Sequence, residues 1–235
     1  MTPSSGVPVD DIIGWDVTNW SQCLPFWEPW VADLDRRTSQ VMVLGDRHGG
    51  ISLWLALLGF SVRCTDYDVP GDTARSLHIR WGVEDKVSYE AVDAFDIHHD
   101  SNSFDVVACK SVLGGLRYRS ARSLEGQKLA VEEIRRVLKP GGVFLGAENL
   151  AGTRAHAAMR SVRPAGLAGW YYLRIAEIRW LFENFNACDQ MPWGFLGTRW
   201  PRRTGLNRMT AVLDAGLSRW LPADWLYISF LRARK

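Results

Sequence analysis

Short apolar runs alternate with longer amphipathic stretches between residues 40 and 148. The apolar runs predict buried strands, and the amphipathic stretches predict helices. The predicted strands are 40–44, 61–65, 87–92, 104–109 and 143–146, and the predicted helices are 49–58, 73–81 and 124–138. Because strands and helices alternate, the pattern is typical of a parallel sheet covered by helices on both faces.

The pattern changes after residue 170, where a helix at 175–184 precedes a strand within 185–195, a helix at 206–221 and a strand at 225–231. Two late strands with an insertion between them predict an antiparallel hairpin at one edge of the sheet. The predicted fold is therefore α/β and doubly wound, with a seven-stranded, mainly parallel sheet, an antiparallel last strand and a helical lid.

The first 37 residues predict a helical lead-in or lid that is broken near Pro25 and Pro29, since proline interrupts helices. Residues 38–235 predict one domain. Insertions at about 151–173 and 195–222 lie outside its repeating pattern, so we expect them to form a lid over a ligand site.

Glycines and polar residues follow four of the predicted strands. The loop 45–50 (GDRHGG) lets the backbone approach a ligand closely, and the following helix offers free N–H groups to a carboxylate. Asp66 follows the second strand and suits ribose hydroxyls, residues 93–95 (DAF) suit an adenine, and 110–111 (KS) follow the fourth strand. Ligands of such sheets bind beyond the carboxyl ends of the strands. The loop lacks the middle glycine of GxGxxG, which favours a nucleoside without a pyrophosphate over NAD.

These segments resemble the motifs of class I S-adenosylmethionine-dependent methyltransferases, in the family's order. The segments are 41–68 (VMVLGDRHGGISLWLALLGFSVRCTDYD), 92–94 (VDA), 104–107 (FDVV) and 137–142 (VLKPGG). Residues 49–56 and 110–115 are also similar to a bacterial branch associated with polysaccharide and glycan synthesis. The resemblance implies a Rossmann-like fold with S-adenosylmethionine as cofactor and S-adenosylhomocysteine as product.

The resemblance also implies roles for individual residues, with the glycines shaping the methionine end, Asp66 holding the ribose, and Asp93 with Ala94 holding the adenine. The predicted cofactor contacts are Gly45, Asp46, Arg47, Gly49, Asp66, Tyr67, Asp93, Ala94, Phe95 and Lys110. Val43 stands where the family usually has an acid, and Arg47 where it has a glycine. Arg47 could pair with the methionine carboxylate or point to solvent. No metal site is predicted, because the acids near the predicted cleft are not spaced along the sequence as metal ligands usually are.

The sequence offers fewer signals for the residues that bind the methyl acceptor, the molecule that receives the methyl group. Methyltransferases of nucleic-acid amines carry Asn/Asp-Pro-Pro-aromatic after the fourth strand, whereas this chain has Ala-Cys-Lys-Ser at 108–111. A cation at Lys110 would repel a protonated amine and favour a developing alkoxide, although it could also be a solvated lysine. Glu148 and His156 are the predicted general bases, with a structural acid and a surface helical residue as the alternatives. The lid supplies Arg160, Trp170, Tyr171, Tyr172, Arg199 and Trp200, which suit a saccharide or a flat aromatic molecule.

Charge and composition limit the kinds of partner that the protein is expected to bind. The net charge of +2 does not by itself imply nucleic acid, but residues 191–235 hold eight Lys or Arg against two acids. That segment is either a solvated basic surface or a surface for an acidic or lipid-linked substrate. Twelve Trp indicate a rich core or an aromatic wall over a pocket. With dispersed cysteines, no secretory signal and no long apolar run, we expect a cytoplasmic protein.

The function predicted from these features is O-methylation of a sugar or saccharide hydroxyl, in a glycan or glycolipid precursor. A small-molecule or natural-product methyltransferase is the main alternative. An NAD(P)-dependent reductase and a catalytically silent binding module are weaker ones. The oligomeric state stays open.

Overall fold

The computed structural model describes residues 6–117, 122–161, 170–197 and 204–235. Its strands are β1 Gln40–Leu44, β2 Ser61–Asp66, β3 Val87–Ala91, β4 Phe104–Lys110, β5 Leu138–Asn149, β6 Ala187–Trp193 and β7 Ile228–Arg234. Its helices are α1 Val9–Ile13, α2 Val17–Trp20, α3 Cys23–Val31, α4 Gly50–Leu57, α5 Asp72–Arg80, α6 Leu124–Val137, α7 Arg154–Ser161, α8 Ile175–Leu181 and α9 Thr204–Trp220. The alternation predicted from the sequence is confirmed.

The strands form one seven-stranded sheet in the order β3-β2-β1-β4-β5-β7-β6. β1 to β5 are parallel, and β7 is antiparallel to both β5 and β6. The predicted fold class is therefore confirmed, including the antiparallel hairpin at the edge. β7 comes last in the chain but lies between β5 and β6, and the strand order reverses between β1 and β4.

Alternate residues of the central strands pack on opposite faces. Val106 and Ala108 of β4 join a core with α3 and α4, whereas Val107 and Cys109 join a second core with α6 and α8. All four side chains are buried, because helices cover both faces of a parallel sheet. The residue after this buried run, Lys110, continues the alternation towards the α3 side.

The predicted helix breaks near Pro25 and Pro29 are wrong, because α3 runs through both prolines. Pro25 lies in the first turn, where the backbone N–H has no intrahelical partner to lose, and Pro29 removes a single bond. The breaks fall instead at Gly14 (φ 82°) and Asp16 (φ 42°), whose backbone conformations cannot continue a helix.

β5 begins earlier than predicted. The segment Lys139–Gly142 is part of the strand rather than a turn, because its backbone pairs with the end of the chain. Gly141 N–H donates to Lys235 O, and Lys235 N–H donates to Gly142 O. The division into a lead-in and a domain with two lid insertions stays a prediction. In the described part of the chain, none of the helices combines the length and the apolarity needed to cross a bilayer.

Candidate functional site

Four loops meet at the carboxyl ends of the parallel strands. Asp46 N–H in the loop after β1 donates to Thr65 O of β2, and Val92 N–H after β3 donates to Asp66 O. A Cβ on Gly45 would lie 2.5 Å from Val112 in the loop after β4. The residues predicted to bind the cofactor therefore surround the point where the strand order reverses, as expected for this type of sheet.

Gly45 and Gly49 both adopt positive φ angles, 67° and 78°, which β-carbons disfavour. A side chain at Gly49 would also collide with His78, whose Nε2 lies 2.9 Å from Gly49 O. At Gly50 a Cβ would lie 2.2 Å from Ile12 O, so the N-terminal helices rest directly on this loop. Close packing and the positive φ angles are therefore enough to require these glycines, whether or not a ligand binds.

Asp46 caps the helix that follows it. Its carboxylate accepts hydrogen bonds from Ser52 N–H at 2.7 Å and from Ile51 N–H at 3.4 Å. The expectation that these N–H groups are free for a ligand carboxylate is therefore wrong, because the chain supplies its own carboxylate. The cofactor contact predicted for Asp46 has no support in its side-chain geometry.

Asp66 ends β2 with a half-buried carboxylate. Its Oδ1 accepts from Tyr67 N–H at 2.7 Å, and its Oδ2 lies 3.9 Å from Nε of the exposed Arg47. Of the two positions considered for Arg47, this geometry favours the outward one, over the predicted ribose site. Tyr67 is also exposed. Asp66 keeps oxygen lone pairs that could accept hydrogen bonds from ribose hydroxyls.

Asp93 begins a tight turn after β3. Its Oδ1 accepts from Phe95 N–H at 2.9 Å, and its backbone bridges to Asp96. Ala94 is buried and Phe95 is half-buried. The turn places a carboxylate beside an apolar surface, the combination predicted for an adenine. Among the described residues, no three His, Cys, Asp or Glu side chains are grouped to hold a metal ion.

Glu148, near the end of β5, fastens the loop that follows β4. The side chain is fully buried. Its Oε1 accepts from Val112 N–H at 2.7 Å and Leu113 N–H at 2.8 Å, and Oε2 lies 3.5 Å from Gly114 N. Burial raises the pKa of Glu148 to about 7, while the three N–H groups and Lys110 act in the opposite direction. The predicted general-base role lacks geometric support, because the carboxylate is bonded to backbone N–H groups and is buried away from any methyl acceptor.

Trp170 lies against the glycine pair of the same loop. A Cβ on Gly114 would lie 2.2 Å from Trp170 Nε1, and one on Gly115 would lie 2.8 Å from the same indole ring. Tyr171 N–H donates to Gly114 O at 2.8 Å. Trp170 was predicted as an acceptor-lid aromatic, and here it secures the loop at the strand end.

Gly114→Ala should lower the free energy of unfolding by about 1–3 kcal/mol, since the new methyl must displace the indole of Trp170. Gly216→Ala is the control, because nothing lies within 4 Å of its added Cβ and alanine favours the helix. Urea unfolding of both variants measures the difference. Equal stability of Gly114→Ala and the wild type would contradict this packing.

Lys110 is a buried cation covered by aromatic rings. Its Nζ lies 3.0 Å from the ring centroid of Trp15 and 5.2 Å from that of Trp20, both in the N-terminal segment. Within the described residues this Nζ has no hydrogen-bond acceptor. Burial lowers the pKa of Lys110 to about 8, and the nearby Cys23, Asp46 and Glu148 oppose the shift. The alternative of a solvated lysine is wrong, because Nζ is inaccessible to solvent.

The depressed pKa of Lys110 predicts a pH-dependent stability. Between about pH 8 and 10.5 the unfolded chain keeps the proton that the folded chain has lost, so stability should rise with pH across this window. Relative to Lys110→Met, the wild type should gain up to about 3 kcal/mol over that range, since each pKa unit is worth about 1.4 kcal/mol. Parallel pH profiles of wild-type and Lys110→Met unfolding would contradict the buried charge.

His156 is buried and uses both ring nitrogens. Nδ1 accepts from Thr153 N–H at 3.0 Å, and Nε2 donates to Phe195 O at 2.8 Å. These bonds connect α7 to the segment after β6, so a general-base role has no support in this geometry. The alternative of a surface helical residue is wrong, because the ring packs on Phe195 and Tyr227.

The other predicted lid residues have structural contacts or lie outside the described residues. Arg160 donates to Ala151 O and Leu150 O and stacks on Tyr172. Arg199 and Trp200 lie outside the part of the chain that the structure describes. A cavity of about 780 Å³ opens beyond the end of β5, and its lining is Leu150–Ala155, Leu173–Ala176, Asp224 and Trp225. It lies on the side where we expect an acceptor.

Sequence reasoning missed Asp214, a fully buried acid of α9. Its carboxylate accepts from the N–H groups of Phe195, Leu196 and Gly197 and from Asn19 Nδ2. The signal available in the sequence was an acid among the apolar positions of a predicted helix. Asp214 ties the N-terminal and C-terminal segments together beside the cleft.

Residues 43–146 match the family model described as "Methyltransferase domain". No curated protein matches the sequence. Phosphoethanolamine N-methyltransferase 2 of Haemonchus contortus, solved with S-adenosyl-L-methionine, is 16% identical with a TM-score of 0.62, covering 97% of this chain and 56% of its own. The YcgJ protein of Bacillus subtilis is also 16% identical with a TM-score of 0.62, covering 92% of this chain and 98% of its own. The [4+2]-cyclase SpnF is 18% identical with a TM-score of 0.54, covering 90% of this chain and 80% of its own.

The sheet order and the solved neighbours show the class I methyltransferase fold, and the methyltransferase-domain model matches residues 43–146 of the 235. At these identities the solved neighbours show the fold alone, and the chain spans only about half the length of the Haemonchus protein. They include an N-methyltransferase, a carbon methyltransferase and a cyclase, so the fold does not fix the reaction.

Proposed function

We propose that this protein is an S-adenosylmethionine-dependent O-methyltransferase whose acceptor is a hydroxyl of a saccharide or saccharide-containing precursor. The single observation that carries the oxygen acceptor is the buried cation Lys110 at the end of β4. A protonated amine next to that cation would be repelled, whereas an oxygen acquiring negative charge would be stabilised.

The described residues fit the cofactor's nucleoside. Asp66 offers carboxylate oxygens at the end of β2, and Asp93 with Ala94 offers an acceptor beside an apolar surface at the end of β3. The positive φ angles of Gly45 and Gly49 keep side chains out of the loop between them. The bound cofactor would supply the methyl group on a sulfonium, and the protein would supply alignment and a dry site.

The methionine end is less complete. Asp46 accepts a hydrogen bond at the N-terminus of α4, and Arg47 faces Asp66. Neither that helix N–H group nor the Arg47 guanidinium is therefore free to bind the methionine carboxylate. Lys110 Nζ lacks an acceptor among the described residues and would be satisfied by an anionic ligand group. Any such contact requires the indole of Trp15 to move aside, because it covers Nζ.

Lys110 is also a candidate general base that would take the proton of the acceptor hydroxyl, because Glu148 and His156 are occupied by structural contacts. With a pKa of about 8, its neutral amine would be present at mildly alkaline pH and could accept that proton. As a base, Lys110 would make methyl transfer increase above pH 8, and Lys110→Arg would be inactive. As a cation, it would make transfer decrease above pH 8, and Lys110→Arg would retain activity.

The reaction is tested by methyl transfer from labelled S-adenosylmethionine to panels of saccharides, phenols and amines. Transfer to saccharide hydroxyls supports the proposal, transfer to phenols favours the natural-product alternative, and transfer only to amines overturns the oxygen acceptor. Calorimetry with S-adenosylhomocysteine and with NAD separates a methyltransferase from a reductase. Tight S-adenosylhomocysteine binding without transfer to any panel member would favour a silent binding module.

A further inference from the structure

The outward face of α9 carries an apolar stripe. Met209 is 56% exposed, Val212 74%, Leu213 49% and Trp220 88%. With the exposed Gly216, these positions recur at intervals of three, four and seven residues, so they lie along one face of the helix. Exposed side chains of this size in one row are unusual, because a surface helix normally presents polar residues to water.

The orientation of α9 is set by its opposite face. Asp214 is buried there and accepts hydrogen bonds from Phe195, Leu196 and Gly197 N–H and from Asn19 Nδ2. Turning the stripe inward would break these bonds and expose several backbone N–H groups. The stripe therefore stays outward, and a partner must come to it.

The charge near the stripe favours an anionic partner. In the sequence, residues 199–220, which comprise α9 and the segment just before it, hold five arginines and one acid, the buried Asp214. Arg219 is exposed beside Trp220, and Trp225 is also exposed just after the helix. Tryptophan and arginine beside an apolar helix face are typical of helices that lie in the interface of a bilayer.

We propose that α9 is a peripheral membrane-binding helix that inserts its Met209–Trp220 stripe into an anionic lipid surface. The apolar side chains would enter the headgroup boundary, and the flanking arginines would contact lipid phosphates. A second copy of the chain fits less well, because a symmetric pair through α9 would bring two basic segments together. The proposal does not depend on methyl transfer. Since Trp225 also lines the 780 Å³ cavity, a lipid-linked acceptor would meet the protein beside its candidate site.

The test is flotation of the full chain with vesicles of phosphatidylcholine containing about 30% phosphatidylglycerol, a composition that attracts basic segments. We expect binding that falls in high salt and is weaker on phosphatidylcholine alone. Val212→Glu and Trp220→Ala should each reduce affinity at least about tenfold, since each removes apolar contact. Ile79→Glu is the matched control: Ile79 is 61% exposed on α5, away from the stripe, and its change should leave binding intact.

Three outcomes would overturn the proposal. The wild type could fail to float with anionic vesicles, or Val212→Glu and Trp220→Ala could bind as well as the wild type. Light scattering could instead show a dimer that Val212→Glu dissociates, which would assign the stripe to a second copy. Circular dichroism checks that each variant keeps the wild-type fold, and the two variants change different exposed side chains.

Discussion

Replacing Glu148 with alanine is expected to lower the free energy of unfolding by about 3–5 kcal/mol, because it removes the buried side chain that accepts hydrogen bonds from three backbone N–H groups. The buried N–H group of Leu113 and the partly buried N–H group of Val112 would then lose their partner. The affinity for S-adenosylhomocysteine should fall as well, since the same loop packs against Gly45. Glu125→Ala, at an exposed position of α6, is the control and should change stability by less than about 1 kcal/mol.

The variant Glu148→Gln separates an anchor from a base. A general base contributes about 100- to 10,000-fold to the rate, so its loss should lower kcat while leaving stability and cofactor affinity unchanged. An anchor predicts the reverse, with stability and cofactor affinity falling together, because an amide presents only one acceptor oxygen to the loop. A large loss of kcat in a variant of wild-type stability would restore the base role.

Asp66→Ala is expected to weaken S-adenosylhomocysteine binding about 100-fold, the value of two charge-assisted hydrogen bonds in a partly exposed site. Stability should change little, since Arg47 is exposed and its contact with Asp66 is long, at 3.9 Å. Calorimetry measures the affinity, and Asp68→Ala, an exposed acid two residues later, is the control. If Asp66→Ala bound S-adenosylhomocysteine as the wild type does, the ribose role proposed for Asp66 would be wrong.

The sheet could be predicted because its signals are local. Apolar runs marked the strands, and the polar residues Asp66, Asp93 and Lys110 marked where three of them end. Parallel strands bring those ends to one edge of the sheet, so the grouping of the site followed from chain order. The α3 helix was harder, since proline strongly suggests a break, and tertiary packing of Trp27 and its neighbours outweighed the loss of one hydrogen bond.

The side-chain partners could not be predicted, because they depend on distant residues. Glu148 is 36 residues from Val112 and Asp214 is 195 from Asn19, and no spacing in the sequence indicates either contact. Asp46 was recognised as part of a ligand loop, yet its carboxylate caps α4. The burial of Lys110 depends on Trp15, which enters from the far N-terminal segment.

The placement of β7 has a consequence for biosynthesis. β6 is translated first, but its partner in the sheet is β7, so a nascent chain holds β6 without a neighbour until the last strand appears. Through that interval β5 also presents an open edge, which invites pairing between chains. Pro192 within β6 lacks an N–H donor and makes one edge a poorer template. Ribosomes that stall before residue 228 should therefore release aggregation-prone fragments.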